Sequence, residues 1–232
     1  MESPIRRRVR LFENGGEMIR KFRTEDFDKC VEIVNDVWDF DGRFHPAQLS
    51  NLFKRVYVGG SLSASNFAIV VVKDIAVKGF LFGKCGSKNL LRSEFSGFKG
   101  SLHFLLQLLF VKGVGLKKKF FYLNMMAEHE KNRRKVEPTR ENEVNLFAVT
   151  PKTQGKGYGR LLMSAFIDYC KSQNINRITL DTDKKCNYGF YEHFGFNVKG
   201  EFYSPLQKEY SGKSGDSYVY ELIIDDTAER SA

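Results

Sequence analysis

One segment of the chain combines closely spaced glycines with cationic side chains. It runs Gln154, Gly155, Lys156, Gly157, Tyr158, Gly159 and Arg160, between an apolar strand-like stretch and an amphipathic helical one. Alternating glycines let the backbone adopt positive φ and let a bulky ligand approach its N–H groups. A helix that begins here adds unpaired N–H donors and the positive end of its dipole. The segment therefore predicts a cradle for a phosphate or pyrophosphate group.

Two common phosphate-binding patterns do not fit the spacing of this cradle. A Walker loop, G-x-x-x-x-G-K-[ST], ends in a lysine and a hydroxyl, whereas this loop ends in Gly159-Arg160. A dinucleotide fingerprint needs G-x-G-x-x-G with an acidic residue about twenty positions later. Asp181 lies near that distance, but the glycines read G-x-G-x-G. The loop therefore belongs to neither class.

The loop does fit the pattern Q-x-x-G-x-G, and the segments on both sides extend the resemblance. Residues 143 to 151 read EVNLFAVTP, similar to a strand motif E-x-x-x-x-[AY]-V-x-P. Residues 190 to 196 read FYEHFGF, similar to F-Y-E-x-x-G-F. Over residues 143 to 200 the chain thus resembles the GCN5-related N-acetyltransferase (GNAT) superfamily.

The resemblance implies an α/β (α+β) fold with a mixed central sheet of about six to seven strands flanked by helices. We expect a flexible basic arm over residues 1 to 16 and a single acetyltransferase domain over residues 17 to 232. A helical insertion, residues 85 to 142, is predicted between the third and fourth strands, because the next strand of a minimal member would follow almost at once.

The hydrophobic periodicity predicts the remaining elements. Strands are predicted at 18–22, 67–72, 77–83, 143–149, 177–183, 198–203 and 218–224, and helices at 24–38, 46–57, 101–112, 125–134, 157–173 and 188–194. The helix at 101–112 carries more apolar residues than one amphipathic face requires. We expect it to be buried within the chain rather than against a second subunit or around substrate, and a homodimer stays open.

By resemblance, the donor is acetyl-CoA and the acceptor a primary amine, which attacks the thioester directly in a ternary complex. Glu143 matches the glutamate that serves as general base in several members. Strand alternation predicts that it shares a face with Asn145, Phe147 and Val149. Tyr191 matches the tyrosine that protonates the departing thiolate. The alternatives are a solvated strand-end carboxylate for Glu143 and a packed helical aromatic for Tyr191.

The resemblance also assigns cofactor contacts. The backbone of Phe147, Ala148 and Val149 is expected to bond the pantetheine arm, which enters between the fourth and fifth strands, while the glycine loop holds the pyrophosphate. Relatives often carry an asparagine seven residues before the tyrosine, where this chain has Lys184. Asn187 either makes that contact from a shifted helix start or caps the helix while Lys184 meets a phosphate.

Composition narrows the other classes of function. The net charge of +9 suits an anionic cofactor, and its clusters lie in no recognisable nucleic-acid module. Four scattered cysteines without a C-x-x-C pair indicate reduced thiols. The four histidines occur singly, so no metal site is expected and a surface role is predicted for them.

The chain start lacks the apolar region of a secretory signal. The longest apolar run, residues 102–111, is too short to span a bilayer.

We therefore expect a cytoplasmic enzyme with neither a membrane nor a nucleic-acid partner. Two other functions share the sequence features. A non-catalytic acyl-CoA-binding or regulatory module needs the cradle but neither Glu143 nor Tyr191. A nucleic-acid-associated protein would use the basic arm and the insertion, and its binding would depend on salt.

Overall fold

A computed structural model describes residues 13–14, 17–86, 98–183, 188–211 and 215–224. Eight strands form one sheet in the order β1-β2-β3-β4-β5-β6-β8-β7. They are β1 (Glu13–Asn14), β2 (Glu17–Lys21), β3 (Phe67–Lys73), β4 (Ala76–Lys84), β5 (Glu143–Val149), β6 (Arg177–Asp183), β7 (Asn197–Tyr203) and β8 (Asp216–Ile223). Without the two-residue β1 there are seven, so the expected mixed sheet is confirmed.

The helices follow the predicted order, with several longer than expected. They are α1 (Phe27–Trp38), α2 (Phe40–Arg43), α3 (Ala47–Ser63), α4 (Phe98–Phe110), α5 (Leu116–Val136), α6 (Tyr158–Ser172), α7 (Tyr188–His193) and α8 (Pro205–Ser211). Helix α5 extends well before the predicted start at 125, because Gly113, at φ 75°, and Gly115 end the turn after α4 and residues 116–124 contain no breaker. The short helices α2 and α8 were not predicted.

The two faces of the sheet carry different helices and separate apolar clusters. One cluster joins α1, α3, α4 and α5 to inward residues such as Phe80, Phe82 and Leu146. The other joins α6 to the opposite face through residues such as Leu162 and Phe166. Alternating side chains of β4 supply both clusters, as expected for a strand covered on both faces. Helices α4 and α5 thus add to the layer on one face, and the α6 face is left to the glycine loop.

Helix α4 is only half buried against this layer. Phe104 and Leu108 are inside the core, whereas Leu106, Leu109 and Phe110 are 45%, 41% and 79% exposed. The expectation that the whole apolar helix is buried within the chain is therefore wrong for one of its faces. The cause is geometric: among the described side chains of α4, the buried ones lie on one stripe, and the apolar residues occupy more than that stripe.

Candidate functional site

The glycine loop has the backbone geometry of an anion cradle. Gly155 and Gly157 have φ values of 80° and 87°, a region that other residues enter only with strain. Apart from the adjoining residues, no heavy atom lies within 4 Å of the position that a Cβ would take at either residue. Gly157 is the N-cap of α6, and no side chain caps the helix. The first-turn amide donors of Gly159 and Arg160 therefore have no intrahelical or side-chain cap acceptor.

Side chains around the cradle divide into anchors and exposed cations. Tyr158 is buried in the α6-side core and fixes the start of the helix. Gln154, Lys156 and Arg160 are exposed, and the first turn of α6 carries no acidic residue. The cradle thus presents N–H donors, a helix dipole and two positive charges together, which is the electrostatic environment that a pyrophosphate needs.

A gap opens beside the cradle because strands β5 and β6 diverge. They form a parallel pair only at Glu143 with Thr179 and at Val144 with Leu180. Beyond Val144, strand β5 keeps its antiparallel pairing with β4 up to Val149. The edge of β5 that includes Phe147, Ala148 and Val149 thus has no ladder to β6 in the described sheet. An extended ligand fits along such an edge as a further strand.

A β-bulge in β5 changes which residues share a face. Phe82 pairs with Leu146 and Gly83 with Val144, so Asn145 is the extra residue. The Asn145 side-chain amide donates to the Ala64 carbonyl at 3.1 Å and to the Ser65 hydroxyl at 2.8 Å. These bonds tie the bulge to the loop before β3.

The predicted common face of Glu143, Asn145, Phe147 and Val149 is therefore wrong. Val144 packs in the α6-side core together with Phe147 and Val149, while Leu146 and Ala148 lie in the opposite core. Glu143 points to that opposite side, where α5 covers it. One additional residue in a strand with a period of two moves everything before it to the other face.

Glu143 lies in a buried ionic cluster instead of at a solvated strand end. Its Oε1 accepts hydrogen bonds from Arg133 at 3.0 Å and from Arg140 at 2.5 Å. Arg133, from α5, also donates to Asp181 at 2.8 Å and is fully buried. Glu143 is 1% exposed, and its Oε2 has no hydrogen-bond partner within the described part of the chain. The carboxyl group thus has one fixed and one unused oxygen.

The charges of this cluster favour a proton on Glu143. Three carboxyl groups (Glu130, Glu143 and Asp181) surround the two guanidinium groups of Arg133 and Arg140. Burial raises the pKa of Glu143 to about 7, against the opposing effect of the two arginines. Glu143 is the most deeply buried of the three carboxyl groups, so it is the one that gains most by accepting the proton. A carboxyl group with such a pKa can exchange a proton near neutral pH.

Sequence reasoning missed Arg133 and Arg140. Arg133 stands in the cationic run 131–135, in which no sequence feature distinguishes it from its neighbours. Its neighbour Arg134 is in fact exposed and pairs with Glu130. Only the packing of α5 over the sheet separates the buried arginine from the exposed one, and no residue pattern signals that packing.

Tyr191 lies on α7, against the α6-side core. Its ring has edge contacts with Phe190 and Phe196, at centroid distances of 5.4 and 6.2 Å. Phe190 in turn stacks on Phe147 of β5, at 5.5 Å and 19° between ring planes. A Cβ on Gly159 would come within 3.2 Å of both of these phenylalanine rings. The short helix is thus held next to the glycine loop and to the outer half of β5.

The other predicted site features are placed as follows. Asn187 and Lys184 lie outside the described residues. Cys30, Cys85 and Cys170 are buried thiols that form no disulfide bond with one another. His129 is not a surface residue, because its Nδ1 lies 2.7 Å from the Ser204 hydroxyl and burial lowers its pKa.

Within the described ranges, no three potential metal ligands come together. No helix in these ranges is long and apolar enough to cross a membrane.

Comparisons with known proteins agree with this geometry. The family model described as Acetyltransferase (GNAT) family matches residues 125–196, a range that includes β5, the glycine loop and Tyr191. A curated relative from Gracilaria tenuistipitata var. liui, named "Uncharacterized N-acetyltransferase ycf52", is 40% identical over 63 residues. That match covers 25% of this chain and 34% of the relative, so the chain spans about a third of the relative's length.

Solved structures share the fold at low sequence identity. Ard1 from Thermoplasma volcanium is 16% identical with a TM-score of 0.50, over 91% of this chain and 99% of that one. An acetyltransferase of the GNAT family from Streptococcus pneumoniae is 14% identical with a TM-score of 0.50, over 90% and 99% of the chains. A protein from Pyrococcus horikoshii OT3 is 18% identical with a TM-score of 0.55, also over 90% and 99%. The family model and the ordered motifs thus make residues 125–196 similar to the Acetyltransferase (GNAT) family, and the solved structures share the fold of the described chain.

Proposed function

We propose that the protein is an acetyl-CoA-dependent N-acetyltransferase that acts on a primary amine in the cytoplasm. The observation that carries the proposal is the uncapped glycine cradle beside the diverging edge of β5. An acyl-CoA needs both features together, because its pyrophosphate and its amide-bearing pantetheine arm must be held at the same time. Bound acetyl-CoA would supply an activated acetyl thioester.

The cofactor contacts follow from the fit of this chain's groups. Gly155 to Arg160 would bind the pyrophosphate through backbone N–H groups and the two cations, with Gln154 at the rim. The backbone of Phe147, Ala148 and Val149 would hydrogen-bond the pantetheine amides and the thioester carbonyl. Of the two candidates after β6, we propose Asn187 for a further cofactor contact.

Two side chains would move the protons. Glu143 would accept the proton that the attacking amine loses, through its unused Oε2 and a bridging water, because β5 separates its face from that of Phe147. Tyr191 would donate its hydroxyl proton to the departing sulfur as the carbon–sulfur bond breaks. A free phenol is a weaker acid than a thiol, so this step needs the site to stabilise the phenolate until solvent reprotonates it.

The experiment is to measure thiol release from acetyl-CoA with a panel of primary amines, for the wild type, Tyr191→Phe and Glu143→Gln. The proposal expects each variant to lose about 100-fold or more in kcat while its affinity for acetyl-CoA, by calorimetry, stays near that of the wild type. If both variants keep wild-type turnover, the roles assigned to these two residues are wrong.

A second candidate is a non-catalytic acyl-CoA-binding module. The observation that favours it is the burial of Glu143 under Arg133 and Arg140, which is also what a purely structural ion pair would show. Calorimetric binding of acetyl-CoA without thiol release for any amine would support the module. Amine-dependent release would exclude it.

A further inference from the structure

The insertion exposes several large apolar side chains where α4 ends and α5 begins. This α4–α5 corner consists of Leu106, Leu109, Phe110, Leu116, Phe120 and Phe121, exposed by 45%, 41%, 79%, 63%, 63% and 51% respectively. Soluble monomers rarely leave several large apolar residues together in water, and such patches usually mark an interaction surface. The catalytic proposal uses none of these residues.

Within its own stretch of the chain, the α4–α5 corner carries charges of a single sign. Residues 98–127 contain five lysines and neither aspartate nor glutamate, and the first acidic residue is Glu128. Lys112, Lys117 and Lys118 are exposed next to the apolar side chains. In the chain as a whole, cations exceed acids by only nine in 232 residues. The absence of any acid from these thirty consecutive positions is therefore a local property of the insertion.

The corner is held in a defined shape. Lys119 is buried, and its Nζ donates hydrogen bonds to the carbonyl oxygens of Leu109 at 2.6 Å and Val111 at 2.9 Å. These carbonyls end α4, so the ammonium group caps that helix and joins it to the first turn of α5. Phe104 and Leu108 anchor the other side of α4 in the core. The exposed side chains are thus displayed by a fixed pair of helices.

Apolar and aromatic residues flanked by lysines fit one kind of partner best. At the surface of an anionic bilayer, such side chains enter the boundary between headgroups and acyl chains while the lysines meet lipid phosphates. A second copy of the chain fits less well, because pairing two identical corners would bring six exposed lysines together.

We propose that the α4–α5 corner docks the protein onto an anionic lipid surface. Phe110, Leu116 and Phe120 enter the interface, and Lys112, Lys117 and Lys118 contact headgroup phosphates. The contact is peripheral, in keeping with the lack of a spanning helix in the described ranges. It departs from the sequence-based expectation of no membrane partner.

The test is co-sedimentation of the full chain with vesicles of phosphatidylcholine alone and with about 30 mol% phosphatidylglycerol. We expect the anionic vesicles to bind about tenfold more protein, and binding to fall as salt rises from about 50 to about 300 mM. Phe110→Ser with Phe120→Ser, and separately Lys117→Glu with Lys118→Glu, should each remove most of the binding. All four positions are exposed, so thermal unfolding should stay unchanged.

Matched controls are Ile75→Ser, which removes a fully exposed apolar side chain from the β3–β4 turn, and Lys21→Glu with Lys171→Glu, which reverses two exposed charges elsewhere. Both should bind like the wild type. The proposal is overturned by equal binding to both vesicles, by no binding at low salt, or by corner variants that still bind. A dimer that dissociates in Phe110→Ser with Phe120→Ser, without vesicle binding, would instead assign the corner to a second copy.

Discussion

Arg133 is the fully buried cation that joins two carboxyl groups of the cluster around Glu143. It is fully buried and bonds Asp181, Glu143 and the carbonyl of Glu137. Arg134, one position later, is 66% exposed and has one surface ion pair. The buried cation contributes more to stability than the exposed one, because a buried carboxylate that loses its cation keeps its desolvation cost.

Arg133→Met is therefore expected to lower the free energy of unfolding by about 3–5 kcal/mol, measured by urea denaturation. The matched Arg134→Met should change it by less than about 1 kcal/mol, because surface ion pairs contribute little. Equal losses in the two variants would mean that Arg133 does not hold the buried charges as described.

The pKa of Glu143 predicts a pH dependence of stability. Its folded value is raised to about 7, above the ordinary glutamate value, so the folded state holds a proton that the unfolded state has released. The stability that Glu143 contributes is complete at a pH below the ordinary glutamate pKa, and it is lost as the pH rises through about 7. Glu143→Gln should remove that loss, so its unfolding free energy should fall less than the wild type's between about pH 5 and about pH 8.

This prediction is tested by comparing the wild type with Glu143→Gln, because His129 changes the unfolding free energy with pH in the opposite direction. Burial lowers the pKa of His129, so its contribution is lost as pH falls through its folded value. Denaturation series on the wild type and Glu143→Gln share that histidine. Parallel curves for the two proteins would refute the raised pKa.

At the scale of the elements, the junction between β5, the loop and α6 joins the two halves of the site. Its glycine pattern was readable from the sequence, because positive φ and close ligand approach require glycine at fixed positions. The faces of β5 were not readable, since the extra residue Asn145 breaks the alternation only through side-chain bonds to Ala64 and Ser65. A local pattern predicts a bulge poorly when distant residues fix it.

Gly157→Ala tests the conformation of this junction, with Gly60→Ala as the control. No heavy atom lies within 4 Å of a Cβ at either position, but only Gly157 has positive φ. The alanine at 157 should cost about 1–2 kcal/mol of stability and weaken acetyl-CoA binding. The alanine at 60, inside α3, should stabilise by up to about 1 kcal/mol. Thermal unfolding and calorimetry measure both, and a neutral Gly157→Ala would contradict the left-handed loop.

At the scale of the whole molecule, the sequence predicted the order of the main elements and the position of the glycine loop. These depend on local periodicity and on motifs within residues 143 to 200. It did not predict that β8 lies between β6 and β7, because sheet order is decided by long-range pairing. Nor did it predict that α5 would cover Glu143, because the charge pattern of α5 looks the same whether or not one face is buried.

At the same scale, the proposed function requires that a bound acyl group is transferred to an amine. The most direct measurement incubates the protein with acetyl-CoA labelled with ¹³C in the acetyl group and a panel of primary amines, and follows both products by mass spectrometry. The account predicts labelled acetyl-amine and free coenzyme A in equal amounts, both abolished when the protein is omitted. Tight binding of acetyl-CoA with no label in any amine would contradict it.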